Sequence, residues 1–289
     1  SGASAQHAGQ RHGFGFAASD PETLLKDPAI NIIAILTRHA LHTPQVLAAL
    51  SAGKHIYCEK PLAINQDQLD QLISALQKDN QPMLMCGFNR RFAPLAQELK
   101  AFIDHRQEPM FAHYRVNANV LPLDHWLIDP EVGGGRIIGE GCHFIDFLTF
   151  LVGENPVEVS TQGLPDNGVY SEDNVVMTFN FPDGSLGVVS YLANGDKSFH
   201  KEYLEVFSGG RVGVLHDWRK LEMINKGRRK MKRHLLQQNK GHQQAWETFL
   251  ESLQGDKTPP IAYPQLIGVA RASFAAVKAL HSGEKVNIY

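Results

Sequence analysis

Lys60 is the residue whose type and place promise the most chemistry. It stands in Cys58-Glu59-Lys60-Pro61-Leu62, directly after the apolar run His55-Ile56-Tyr57-Cys58. A lysine at a strand end in a closed cleft loses hydration, and its pKa falls toward neutrality, where it exchanges protons readily. Glu59 opposes that shift if it pairs with Lys60; otherwise it is free to meet a ribose. Pro61 stiffens the turn, and a cis Lys60-Pro61 bond fits, because cis peptides are nearly confined to proline. Two further segments, Thr37-Arg38-His39-Ala40-Leu41-His42 and Gly87-Phe88-Asn89-Arg90-Arg91-Phe92, also follow apolar runs. In an open parallel sheet, ligands bind beyond the carboxyl ends of the strands. One such polar segment reads equally well as a solvated turn, but three together are poorly explained that way.

A second cluster is Gly133-Gly134-Gly135-Arg136-Ile137-Ile138-Gly139-Glu140-Gly141-Cys142-His143-Phe144-Ile145-Asp146. Three glycines permit close backbone approach or positive φ. His143 falls near the start of an apolar helix, where the helix terminus disfavours imidazolium and leaves a neutral ring able to accept a proton. An isolated histidine of this kind is more often a packed, hydrogen-bonded core residue. Asp146 lies three residues on, so it either orients the ring or bonds to backbone.

The elements that must position these groups follow from periodicity. Residues 30–36 form a β-branched apolar run, typical of a strand buried on both faces. A helix is predicted over 43–52, with Thr43-Pro44 as N-cap and first turn. Strand 55–58, helix 66–77 and strand 83–86 follow, which gives a parallel β-α-β-α-β unit. Phe14 to Ala17 reads as a further short strand, and Asp20 as the cap of a turn over 21–26. Beyond about residue 92 the pattern changes. A helix over 94–103, a strand over 111–119 and a helix over 141–151 precede strands at 157–163, 174–181, 185–192, 203–208 and 212–215. Tight turns such as Pro182-Asp183-Gly184 join them, which predicts antiparallel pairing. Helices over 242–253 and 264–281 close the chain. The fold class is α/β: a partial Rossmann-like parallel sheet, then an α+β domain with a large open, mainly antiparallel sheet. Apolar residues alternate on both sides of Val175-Val176-Met177-Thr178-Phe179, so the second sheet face needs a partner, and a homodimer or homotetramer is expected.

Composition narrows the classes. The chain has 289 residues, 28 Lys+Arg against 30 Asp+Glu, and a formal net charge of -2, so no bulk grip on nucleic acid is expected. No apolar run approaches the ~18–20 residues that span a bilayer, so no membrane partner is expected. The start, Ser1 to His7, lacks the basic-then-apolar order of a signal peptide. Three cysteines cannot complete a disulfide framework, which favours a reducing compartment, the cytoplasm. Cys58, Cys86 and Cys142 fit no structural zinc spacing; they read as buried thiols, and no metal is expected. The basic run Lys226, Arg228, Arg229, Lys230, Lys232 and Arg233 reads as a solvated loop, with a phosphate-bearing substrate as the sharper alternative. Trp126 either walls a sugar pocket or packs at a domain junction.

With these segments in order, the sequence resembles the Gfo/Idh/MocA family, the glucose–fructose oxidoreductase and inositol dehydrogenase-like enzymes. Residues 37–42, the helix ending Ala48-Ala49-Leu50-Ser51-Ala52-Gly53-Lys54-His55, residues 58–62, residues 87–92, Trp126, the triple glycine and residues 141–146 carry the likeness. The resemblance implies that residues 1–91 are the remnant of an NAD(P)-binding domain and 92–289 a substrate and oligomerisation domain. It implies NAD or NADP as cofactor, and reversible oxidation of a secondary hydroxyl on a sugar, polyol or nucleotide-sugar-like compound. Lys60 matches the family's catalytic lysine and His143 its acid/base histidine. Thr37, Arg38, His42, Glu59 and Lys60 would line the cofactor, and Asn89, Arg90, Trp126 and His143 the substrate. Two departures stand out. Gly139 occupies a place where the family commonly has Asp, which makes neighbouring Glu140 a candidate catalytic substitute. No Gly-x-Gly-x-x-Gly opens a helix in the first ~40 residues, so the pyrophosphate-binding β-α unit is expected to be missing and the chain to be a truncated form. A fold that keeps its shape as a non-catalytic ligand-binding or assembly module is the alternative.

Overall fold

The computed structural model describes residues 2–78, 80–104, 106–234, 237–255 and 258–289; Ser1 lies outside them. Helix α1 (Gly2–His12) and helix α2 (Pro21–Lys26) come first. Asp20 caps α2 by accepting from the Glu22 N–H at 3.0 Å. The strand expected at Phe14 to Ala17 is absent: Phe14 and Phe16 lie mostly exposed, and no described strand stands beside them to complete a ladder.

The alternation then unfolds as strand β1 (Ile32–Ile35), helix α3 (His42–Ser51), strand β2 (His55–Cys58), helix α4 (Gln66–Leu76) and strand β3 (Leu84–Cys86). The three strands pair in parallel in the order β1-β2-β3. A 3-10 turn, His39–Leu41, leads straight into α3, so Thr43 is not the N-cap. Its hydroxyl instead donates to the Leu62 carbonyl at 3.2 Å and ties α3 to the turn beyond Lys60. A second 3-10 turn, Asn89–Phe92, carries the chain from β3 to helix α5 (Pro94–Ile103).

The large sheet begins with β4 (Phe111–Asn117). A π-helical turn, Ile137–Gly141, opens helix α6 (Cys142–Val152). Strands β5 (Glu158–Gly163), β6 (Asn174–Asn180), β7 (Leu186–Leu192), β8 (Glu202–Ser208), β9 (Arg211–His216), β10 (Lys220–Asn225) and β11 (Arg228–Arg233) follow. Helices α7 (His242–Gln254) and α8 (Tyr263–Ser282) and the short strand β12 (Val286–Asn287) complete the chain. The sheet order is β11-β10-β9-β8-β4-β7-β6-β5-β12, antiparallel except for the parallel pair β4–β7. The basic run is therefore not a loop. Lys226 and Gly227, with φ of 49° and 72°, make the hairpin turn into edge strand β11, because two positive φ values match strand twist. Its charges blunt an open sheet edge against pairing with another chain.

One sheet face carries Val175, Met177, Phe179, Val189 and Tyr191 into a core shared with Phe144, Phe147 and Leu148 of α6. The other face leaves Phe111, Val176 and Phe207 about two-fifths exposed, at 39%, 40% and 42%. Helix α7 returns to the small sheet, where Ala245 and Phe249 pack on Tyr57, Met83 and Met85. No helix among the described residues is long and apolar enough to cross a membrane.

The two sheets are joined through charge. Glu202 of β8 accepts two hydrogen bonds from Arg90, both at 2.9 Å, and others from Tyr114 at 2.6 Å, Trp218 at 2.7 Å and Lys240 at 2.7 Å. Arg91 turns the other way, donating to Asp146 of α6 and, at 3.0 Å, to Gln265 of α8. Burial alone would raise the Glu202 pKa, but Arg90 and Lys240 reverse this and hold it far below the usual carboxylate range.

Glu202→Gln leaves the buried Arg90 and the half-buried Lys240 short of their counter-charge, which costs about 3–5 kcal/mol, so its melting temperature at pH ~7 should fall well below wild type. The folded carboxyl has the lower pKa, so its stabilisation is complete above the unfolded value of ~4.3 and fades as pH drops below it. Wild-type melts should therefore decline more steeply below pH ~4.3 than those of the Gln variant. Equal melting temperatures at pH ~7 would contradict the role of this network.

Candidate active site

The carboxyl ends of β1, β2 and β3 face the π-helical turn that precedes α6. Lys60 follows β2 across a cis bond to Pro61, and its Nζ donates to the Gly139 carbonyl at 2.8 Å. That single contact joins the two clusters that sequence spacing singles out, 79 residues apart. His42, fully buried, holds the same turn: Nδ1 lies 2.8 Å from the Pro61 carbonyl and Nε2 3.0 Å from the Thr37 carbonyl. It braces backbone rather than presenting a free ring.

His143 lies on the first turn of α6, half-buried, with its ring 6.1 Å from that of Phe88. Burial, then the nearby charges of Arg90, Lys60, His242 and Lys201, drive its pKa well below the ordinary histidine value. The ring is neutral, as a proton acceptor must be. Its Nδ1 is buried without a hydrogen-bond partner. Asp146 does not orient this ring, nor does it serve backbone, because Arg91 takes both its carboxylate oxygens.

The Glu140 side chain is taken up by Tyr191 and Arg136. It accepts from the Tyr191 hydroxyl and pairs with Arg136 at 2.7 Å. Burial pushes its pKa up, but Arg136, Tyr191 and Lys60 overcome that and keep it ionised. Glu140 thus enters the field around Lys60 as a neutralised carboxylate, not as a group occupying the place of a side chain at 139.

The remaining expected residues divide. Glu59 sits against Gly87, where a Cβ would come within 2.9 Å of its carboxylate and push it aside. Its Oε2 accepts from the Lys60 N–H at 3.3 Å. Thr37 donates to Gln45 at 2.8 Å, and Arg38 lies over the Trp126 ring at 5.8 Å. Trp126 meets the edge of His39 at 4.8 Å. Asn89 donates to the Lys240 carbonyl at 2.6 Å, with its own oxygen buried and unpartnered. Arg90, expected to contact substrate, is 7% exposed and spends its guanidinium on Glu202. It acts on the site through its charge and by fixing the turn after β3.

Three residues in or beside the cleft escaped the sequence reading as individual groups. His39 lies inside a segment that the strand-end rule flags, so its signal was present. His242, at the start of α7, comes within 3.3 Å of Asn89, and Lys201 brings its ammonium near Glu140 and Glu202; neither has a local motif. Burial lowers the pKa of both. Cys58, Cys86 and Cys142 gather beneath the site as buried free thiols whose pKa values burial pushes up, that of Cys142 to about 12. Among the described residues no set of three His, Cys, Asp or Glu side chains is placed to hold a metal ion.

A nicotinamide cofactor fits this place only in part. The strand ends offer Thr37, Arg38, Glu59 and Lys60, and Gly87 keeps the cleft floor open beside Glu59. The sequence contains no glycine loop running from a strand into a helix to cradle a pyrophosphate.

Burial lowers the His39 pKa to about 4 against the opposing hydrogen bond to Gly133. Proton-detected nitrogen spectra at pH ~6 should therefore show His39 and His143 neutral; an imidazolium signal for either would contradict the site's electrostatics. Both pKa values are lower folded than unfolded. Their effect on stability is thus unfavourable below the unfolded value of ~6.5, growing as pH falls through that point.

Comparison with known proteins agrees with this geometry. Residues 1–88 match the family model described as oxidoreductase family, NAD-binding Rossmann fold, and residues 107–207 match the GFO/IDH/MocA C-terminal domain. Trans-1,2-dihydrobenzene-1,2-diol dehydrogenase of Xenopus tropicalis is 31% identical over 180 residues, 61% of this chain and 54% of that protein. Myo-inositol 2-dehydrogenase of Thermotoga maritima is 26% identical over 290 residues, 94% of this chain and 84% of that protein. The chain spans about half the length of the first of these relatives. A structure titled levoglucosan dehydrogenase in complex with NADH and levoglucosan superposes with a TM-score of 0.85 at 22% identity, covering 100% of this chain and 88% of that one. That likeness speaks for the fold. Both halves, the parallel unit bearing Lys60 and the open sheet bearing His143's helix, match models of one family, and the chain belongs to the Gfo/Idh/MocA oxidoreductases.

Proposed function

We propose that this chain serves an NAD(P)-dependent oxidation of a secondary hydroxyl on a sugar or polyol. The observation that carries this reading is the Lys60–Gly139 contact, which brings a lysine and a neutral histidine to one cleft at the strand ends. A bound nicotinamide supplies the acceptor for the hydride leaving the carbinol carbon. Hydride departure also requires the hydroxyl proton to leave. His143 is the base, because its neutral ring faces the positive field of Lys60 and Arg90. Lys60 is the cation that stabilises negative charge developing on the substrate oxygen. Arg90, Glu202 and Glu140 hold the local field steady. The names of the relatives point to levoglucosan, myo-inositol and 1,5-anhydro-D-fructose as a probe panel.

The test is reduction of NAD+ or NADP+ at millimolar concentration by levoglucosan or myo-inositol, and in the reverse direction oxidation of NADH or NADPH by 1,5-anhydro-D-fructose. Lys60→Met should lower kcat by on the order of 10²-fold, and His143→Ala by a similar factor while flattening the pH–rate profile. Wild-type turnover by Lys60→Met would overturn the assignment. Glu140→Gln separates a catalytic from a structural carboxylate, and its engagement by Arg136 and Tyr191 favours the structural role. Titration should give NAD(P) affinity for this chain weaker than micromolar, because helix-terminal amides on a glycine loop normally supply the pyrophosphate contact. A second reading, a ligand-binding module without catalysis, is favoured by Gly139, which puts no carboxylate beside Lys60. Polyol binding without turnover at saturating cofactor would select it.

The exposed Phe111, Val176 and Phe207 on the outer sheet face support a homodimer or homotetramer closed through that face. A monomer in light scattering across micromolar concentrations would count against it. Three buried free thiols suit a reducing compartment, and the cytoplasm is the proposed location.

A further inference from the structure

Gly139 lacks a side chain, and its place is taken. A Cβ built there would come within 3.0 Å of His39 Cε1 and 3.2 Å of its Nδ1. The imidazole of a different element thus fills the space where a side chain at 139 would begin. His39 is held there on two sides. Its Nδ1 lies 2.7 Å from the Gly133 carbonyl, and its ring stands edge-on to Trp126 at 4.8 Å. Gly133 packs tightly in turn, since a Cβ there would fall 2.3 Å from the Leu127 Cα.

A carbonyl only accepts, so Nδ1 carries the proton. In a neutral ring the other nitrogen, Nε2, is then an acceptor with a free lone pair. Among the described residues no group donates to Nε2. Burial and the charge of Lys60 both favour the neutral ring. His143 differs: no hydrogen bond in the structure fixes its tautomer. The two rings flank one lysine. Lys60 Nζ sits 2.8 Å from the Gly139 carbonyl and His39 covers the other side of that residue. Ordinary backbone dimensions then put ammonium and imidazole within roughly 9 Å. That span suits groups that address one small polyol from two directions.

We propose that His39 is a substrate-positioning residue, whose Nε2 accepts a hydrogen bond from a polyol hydroxyl in the Lys60 cleft. Glycine at 139 gives this ring its space, and a side chain there would crowd it. The inference rests on the polyol reading above and names the group that orients the polyol. His39 moves no proton in this role; it holds the substrate so that Lys60 and His143 meet the reacting hydroxyl.

The test has a structural arm and a binding arm. Nitrogen-15 spectra of the full chain without ligand should show His39 protonated at Nδ1 and bare at Nε2. An Nε2–H tautomer would overturn the proposal whatever the substrate. For binding, myo-inositol and levoglucosan serve as probes in calorimetry. His39→Asn keeps a donor for the Gly133 carbonyl and removes the acceptor nitrogen. It should melt like the wild type, bind the probe at least ~10-fold more weakly, the scale of one lost hydrogen bond, and raise KM more than it lowers kcat. His39→Ala/Gly139→Asp frees the ring's volume and puts a carboxylate acceptor into it, and should recover part of that loss, whereas Gly139→Ala alone should weaken binding by crowding the ring. Should His39→Asn fold poorly, the double variant and Gly139→Ala still decide: no recovery in the first and no loss in the second overturn the role. A wild-type chain that binds neither probe overturns the polyol reading and this role with it. A wild type that binds, with His39→Asn binding equally well, overturns the role of His39 alone.

Discussion

The Glu202 carboxylate is the contact on which the rest of the arrangement depends. It is buried and accepts from Arg90, Tyr114, Trp218 and Lys240. A carboxylate so placed is stable only with every partner present, since its desolvation cost is offset by charge and hydrogen bonds alone. Arg90 and Arg91 are consecutive, yet one reaches β8 and the other α6. The turn after β3 is thereby pinned to the large sheet and to the helix bearing His143 at once. Fixing that turn fixes where Lys60, at the end of the neighbouring strand β2, meets Gly139. Side-chain charge thus helps to set the geometry of the cleft.

Much of this was legible in the sequence wherever the signal is local. The apolar runs of β1, β2 and β3 announce strands covered on both faces, and the polar segments after them announce the cleft. Lys60 and His143 stand out for the same reason: each follows an element whose end is readable from its neighbours. The basic run read as a solvated loop, because five cations hide a strand that lies at a sheet edge and needs no apolar face. The strand expected at Phe14 to Ala17 shows the reverse. Its composition suits a strand, but a strand exists only where another offers a ladder.

Partners distant in the chain were not legible. Arg90 at a strand end looks like a ligand-binding cation until Glu202, 112 residues on, claims it. Asp146 looks like a partner for His143 by helical spacing until Arg91, 55 residues back, takes it. Composition cannot say which of two plausible acceptors a buried guanidinium will find. Trp126 stood open between pocket wall and junction packing. Its contacts with His39 and Arg38 show it packing against the segment that follows β1.

The π-helical turn explains how position 139 can lack a side chain and still serve the site. A π turn inserts extra backbone into a helical path and so changes which residues face a given side. Here it directs the Gly139 carbonyl to Lys60 and the Glu140 side chain to Arg136 and Tyr191. Moving from 139 to 140 therefore takes a carboxylate out of the space that a side chain at 139 would occupy and into an ion pair with Arg136. The vacated space is not left as a void, which would forfeit packing; the His39 ring fills it. Negative charge beside Lys60 is thus supplied by a carboxylate whose charge Arg136 already balances, while the group in van der Waals reach of position 139 is neutral. An unpaired carboxylate at 139 would stabilise the lysine's positive charge more strongly than this arrangement does. With a neutral imidazole there instead, more of the ammonium's field remains available to an oxygen that gains negative charge as its proton leaves.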